Sequence, residues 1–188
     1  MSRTGPTILA TVVLASSTMA CRPSRASANP EDYFPLIQVA IEGGEIAAMI
    51  GRNEAIEAKN FAGCVAAETL SAAFDSAGKV LAGKLTGSPT IPGFDLDLAD
   101  CMVFKPEQPS GEPDAATLVQ GIAGVSLAVA RHYAERIKGT DCRKGTAALA
   151  AVAYVEGAVT LVADEIAAPD GKLSVPDSPI DLKACGGY

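Results

Sequence analysis

The chain has 188 residues, 48% of them hydrophobic and only 5% aromatic, with no Trp and a formal net charge of −7. That length suits one domain with a real core. The acidic balance excludes nucleic-acid phosphates and basic-patch adsorption to anionic lipid as expected partners.

In chain order, "MSRTG" carries one charge, Arg3, and leads into the apolar run "PTILATVVLASSTMA". A positive start, an apolar middle and small residues at the end are the layout of a secretory signal, expected over residues 1–20. The run is too short and too rich in small polar residues to be a membrane span. Its end, "STMAC", resembles a bacterial lipoprotein signal, in which a small residue precedes a cysteine. Here Ala20 precedes Cys21, with Thr18 where an aliphatic residue is usual. The resemblance covers residues 1–21 only. It implies cleavage before Cys21, lipidation of Cys21, and tethering to the inner or outer membrane at its periplasmic side. Residues 21–30, "CRPSRASANP", then read as a polar tether. The rival cut follows Ala28, in the small-x-small run Ala26-Ser27-Ala28, and would release a soluble secreted protein. The first cut removes only Arg3 and leaves a charge of about −8; the second also removes Arg22 and Arg25 and leaves about −10.

Residues 31–188 are expected to form a single helical domain. Asn29-Pro30-Glu31-Asp32 combines a capping side chain, a proline and acids, and so marks a helix start. The first helix is expected from about Pro35 to Asn60. Leu36, Val39, Ala40, Ile46, Met49, Ile50 and Ile56 are its apolar positions. Gly43-Gly44 predicts a kink or break within it. The second helix spans about Val65 to Leu85, with Leu70, Ala73, Phe74, Ala77, Leu81 and Leu85 at helical spacing. Asp75 and Lys79 stand four apart in the favourable order.

Residues 87–113 are rich in Pro and Gly and read as a boundary, with "KPEQPSGEPD" as an exposed connector. The third helix covers about Ala115 to Lys138. In it Leu118, Ile122, Val125, Val129 and His132 recur at steps of four and three, and Gly139 ends it. The fourth, about Thr146 to Ala168, is the most apolar and is expected to be buried on most faces. Gly78, Gly83, Gly121, Gly124 and Gly157 are candidate points of close helix approach. Alanine, abundant throughout, loses no side-chain entropy in a helix and favours tight packing.

Cys21 apart, four cysteines remain: Cys64, Cys101, Cys142 and Cys185. An even number in an exported domain implies two disulfides. "FDLDLADC" ending at Cys101 is echoed by "SPIDLKAC" ending at Cys185. Each echo follows a Pro-containing loop, each loop follows an Ala-rich helix, and a cysteine opens each helix. The expected fold is therefore all-α: an antiparallel four-helix bundle built from a duplicated helical hairpin. Repeat one covers about residues 35–101, a linker 102–114, and repeat two about 115–185. The parsimonious bridges are Cys64–Cys101 and Cys142–Cys185, with cross-repeat pairing left open.

The chemistry-bearing residues are few. No C-x-x-C pair occurs, and one histidine cannot complete a family of zinc sites. His132 falls on an apolar stripe and Glu156 in an apolar run, so the two form a possible polar core pair. Asp95, Asp97 and Asp100, and again Asp170, Asp177 and Asp181, precede a cysteine; turn and capping roles explain them better than calcium. No catalytic set, metal or cofactor is expected. The reading is a non-enzymatic envelope lipoprotein with a structural or protein-interaction role and an unidentified envelope protein as partner. The alternative is a soluble bundle that binds a small apolar ligand or a protein.

Overall fold

The computed structural model describes residues 33–104, 115–167 and 169–186. The signal segment, Cys21, the tether and the connector 105–114 lie outside the described residues. Four long helices dominate: α1 (Phe34–Glu57), α2 (Phe61–Ala82), α4 (Ala115–Lys138) and α5 (Cys142–Ala167). After α2 come strands β1 (Thr90–Ile91) and β2 (Phe94–Asp97) and the short helix α3 (Ala99–Met102). After α5 come β3 (Lys172–Val175), β4 (Ser178–Pro179) and a 3-10 turn, Lys183–Cys185.

Helix α1 carries Pro35 in its first turn, where a missing N–H costs nothing. It runs unbroken through Gly43-Gly44, contrary to the expected kink. The reason is packing. Gly44 is buried, and the ring of Phe74 from α2 occupies the space a side chain would need: a Cβ there would stand 2.5 Å from Cζ. Ala55, Ile56, Lys59 and Asn60 close the connection to α2 through backbone bonds, with Lys59 in the left-handed region at φ 53°. Asn60 then caps α2: its Oδ1 accepts from the Gly63 N–H at 2.8 Å. That cap starts α2 earlier than apolar spacing alone suggested. Asp141 performs the same task for α5, accepting from the Lys144 N–H at 3.0 Å.

Helix α1 packs on α2 and α4, α2 also packs on α4 and α5, and α4 packs on α5. Phe74, Leu70, Ile37, Ile41, Val152, Val155 and Ile137 are enclosed at the centre. Ala66, Ala67, Ala73, Ala77, Ala130, Ala134, Ala147, Ala148 and Ala151 fill the contacts between them. The close approaches occur at Gly44 and Gly145, the latter against the backbone of Lys138. Of the glycines expected to do this, Gly121, Gly124 and Gly157 face open space.

The expectation of an all-α chain needs correction. Strand β1 pairs antiparallel with β4, joining Thr90 to Pro179 and Ile91 to Ser178. Strand β2 pairs antiparallel with β3 from Phe94↔Val175 to Asp97↔Lys172. The Pro- and Gly-rich stretch after α2 is thus paired with the segment that follows α5. Gly93 sits at the junction, where a side chain would strike the backbone of Val175 and Asp177.

Two disulfides are formed, Cys64–Cys101 and Cys142–Cys185, with Cα atoms 5.6 and 5.4 Å apart. Each ties the first turn of a long helix to the loop that returns from that helix's far end.

Candidate functional site

The Asp-Leu-x-x-Cys echo has a defined local chemistry. Asp97 Oδ1 accepts from the Ala99 N–H at 3.0 Å, and Asp181 Oδ1 from the Lys183 N–H at 2.9 Å. Each aspartate thereby starts the tight turn that follows it. The next residue, Leu98 or Leu182, is buried and anchors the turn on the core. The cysteine is then delivered to its bridge. Asp170 Oδ1 accepts from the Lys172 N–H, and Asp177 Oδ1 from the Gly93 N–H at 2.6 Å. Asp97, Asp170 and Asp181 hold turns and Asp177 ties its loop to Gly93, and among the described residues no three His, Cys, Asp or Glu side chains converge as a metal site. Asp95, Asp97, Asp170 and Lys172 do line a shallow hollow of about 550 Å³ over β2 and β3.

His132 and Glu156 do not form a polar core pair. Both are exposed. Glu156 accepts two bonds from one guanidinium nitrogen of Arg131, at 2.6 and 2.5 Å. His132 lies edge-on to Tyr133, with ring centroids 5.4 Å apart. The physical reason lies in the phase of α4. Its core stripe is Ala123, Leu127, Ala130, Ala134 and Ile137, and small residues there let α4 sit close. The stripe containing Val125, Val129 and His132 has the same period but faces outward. Leu118 and Ile122, on that same expected stripe, have side chains outside the described set.

The Arg131–Glu156 pair marks a groove between α4 and α5 of about 390 Å³. Ala123, Gly124, Leu127 and Ala128 line it from α4, Val159 from α5. Both ionic partners are nearly half exposed, so the pair itself contributes at most about 1 kcal/mol. The groove offers an apolar floor and one charged rim, the Arg131–Glu156 pair.

One buried carboxylate exists among the described residues. Glu165, near the end of α5, accepts from the Asp170 and Gly171 N–H groups at 3.1 and 2.9 Å. It fixes the exit from α5, and the Gly171 carbonyl in turn accepts from the Leu98 N–H. Tyr154 donates to the Pro92 carbonyl at 3.0 Å. Burial pushes its phenol above the ordinary tyrosine range, the Asp177 charge adds to that, and a hydrogen bond with Ser76 opposes both. Burial alone would raise the carboxyl of Asp141, but hydrogen bonds and charge from Lys144, with a backbone bond from Arg143, hold it below the usual aspartate value.

The largest departure from expectation is on α1. Ile37, Ile41, Gly44, Ala48 and Ala55 face inward. Leu36, Val39, Ile46, Met49 and Ile50, expected as apolar positions of the fold, are exposed. By length and composition, α1 and most of α5 are each long and apolar enough to cross a membrane, but α5 is packed between α2 and α4. Comparison of the chain with protein-family models, with curated proteins and with solved structures finds no match.

Proposed function

We propose that the protein is an exported, lipid-tethered, non-enzymatic helical scaffold of a bacterial envelope, with a protein-interaction role at the membrane surface. The observation that carries the compartment is the pair of disulfides. Bridges of this kind persist in oxidising compartments and are rare in a reducing cytosol. The "STMAC" run supplies the tether at Cys21. The exposed apolar row on α1, the first helix after that tether, supports the interaction role.

The architecture we infer is an antiparallel four-helix bundle made by duplication of one helix-helix-loop unit. Strand register supports it. The shift that takes Cys101 to Cys185 carries Thr90↔Pro179 onto Ser174↔Asp95, and Ile91↔Ser178 onto Val175↔Phe94; both images are pairs of the other ladder. The same shift takes the turn-making Asp97 to Asp181. The shift that takes the cap Asn60 to the cap Asp141 carries Ala66, Ala67, Leu70, Phe74, Ala77 and Leu81 onto Ala147, Ala148, Ala151, Val155, Ala158 and Val162, all buried. Two units related by a pseudo-two-fold axis, each lending a strand to the other, account for these coincidences.

Metabolic labelling with a radiolabelled fatty acid tests the tether. The wild type incorporates label and Cys21→Ala does not; a wild type without label, beginning at Asn29, overturns it. The second reading, a soluble protein that takes a small apolar ligand, is favoured by the α4–α5 groove. Its test is a solvatochromic apolar dye, whose binding Gly124→Phe abolishes if the groove is the site.

A further inference from the structure

We propose that the outward face of α1, with the adjoining flank of α4, receives a Lys- or Arg-flanked amphipathic helix of another envelope protein. This rests on the interaction reading above and names the chemistry of the partner. Single exposed apolar side chains are ordinary, but a contiguous row is not. Leu36, Gly43 and Ile50 stand one heptad apart, and so do Val39 and Ile46, the spacing of a helix-pairing seam. The large members of the row are each between 42% and 63% exposed. Gly43, in the middle of it, has open space above its Cα.

Among the described residues the seam faces no neighbouring helix. Gln38 and Arg52 mark the flank of α1 turned to α2, through Leu81 and Glu68. Tyr33 marks the flank turned to α4: its ring stacks on Tyr133 at 5.3 Å, with Arg136 above it. Helical phase puts Leu36 and Ile50 outward of that second flank. On α4, Val125 and Val129 stand outward of Tyr133 in the same way, and both are exposed. The two rows therefore border one seam between α1 and α4.

On the α4 side the border carries the exposed Arg136, over the Tyr33 ring, and the exposed His132; the charge that selects the occupant is on the α1 side. Glu42 and Glu54 rim the row on its two edges and Glu57 closes its end, all exposed. The only basic residue within α1, Arg52, is drawn away to Glu68. A second copy would set acid rim against acid rim, and an anionic lipid surface would be repelled. A helix with an apolar seam and basic flanks satisfies both features at once.

Two synthetic monomeric peptides serve as probes, sharing one Leu seam and flanked by Lys in one and Glu in the other. Binding to the full mature protein, disulfides intact, is read by fluorescence anisotropy. The Lys peptide is expected to bind at least ten-fold tighter at low salt, with the preference shrinking as salt rises. Ile46→Glu weakens that binding at least ten-fold while leaving the circular dichroism unchanged. Glu42→Lys/Glu54→Lys reverses the preference without touching the core, so a folding defect cannot imitate it. Equal binding of the two peptides, or of neither, overturns the proposal. So does a wild-type dimer in sedimentation that Ile46→Glu dissociates, or flotation of unacylated protein with phosphatidylcholine vesicles. Failure of fatty-acid labelling would overturn the tether alone and leave the peptide result standing.

Discussion

Gly43 and Gly44 are neighbours in α1, yet replacing each with Ala should move stability in opposite directions. In a helix interior Ala is favoured over Gly by about 0.8–1 kcal/mol. At Gly43 an added Cβ meets nothing within 4 Å. Gly43→Ala should therefore gain nearly all of that, about 1 kcal/mol. At Gly44 the Cβ would stand 2.5, 2.6 and 2.8 Å from Cζ, Cε1 and Cε2 of Phe74. Phe74 is fully buried, so its ring has no free volume to retreat into. Overpacking of this kind costs about 1–3 kcal/mol. After the same helix gain, Gly44→Ala should be destabilised by up to about 2 kcal/mol, and Gly44→Val by more. The assay is urea unfolding followed by far-UV circular dichroism, with disulfides intact and the slope compared between variants. Gly44→Ala/Phe74→Leu should show favourable coupling, because the shorter side chain leaves room for the new methyl. Equal stabilisation of the Gly43 and Gly44 variants would refute the reasoning, since Phe74 would then not rest on Gly44.

Three further outcomes follow from the same geometry. Removing either bridge, as Cys64→Ala/Cys101→Ala or Cys142→Ala/Cys185→Ala, should cost up to about 4 kcal/mol on the loop-entropy model, given sequence separations of 37 and 43; unfolding of the non-reduced variants measures it. Glu165→Ala should cost about 2–3 kcal/mol by stranding two backbone N–H groups, and Glu165→Gln about 1 kcal/mol, because an amide oxygen still accepts from both; hydrogen exchange at Gly171 should rise in the first and not in the second. Asp141 has a depressed folded-state pKa, so its stabilisation is present above the ordinary aspartate value of 3.8 and is lost as pH falls below that through the folded value. Asp141→Asn should keep the cap and remove that acid-range dependence, whereas Asp141→Ala should cost about 1 kcal/mol at neutral pH; unfolding midpoints between pH 2 and 7 separate the two.

Much of the helical layout was legible. The third helix was placed at its observed bounds, and α1 lay within a few residues of expectation, because long apolar periods with terminating Gly and Pro are strong local signals. Helix α2 begins at Phe61 rather than near Val65 because Asn60 caps it, a local signal that apolar spacing alone does not register. The strands were not legible. Two are only two residues long, the other two alternate over just four, and each is stabilised by a partner more than seventy positions away. The fold is accordingly mostly helical with two small ladders rather than purely helical.

The candidate site divides the same way. His132 and Glu156 were singled out by their apolar surroundings in sequence, and both lie outside the core. A second apolar stripe of the same period competed on α4, and its alanines were the buried set. By itself, the sequence determined where helices run and which cysteines close each returning turn, since capping, period and the Asp-Leu-x-x-Cys turn act over a few residues. Only the tertiary structure decided which of two apolar stripes on α1 and α4 turns inward. Period fixes the spacing of a face, while phase is set by the neighbours that cover it, and on α1 those neighbours leave Leu36, Val39, Ile46 and Ile50 outside.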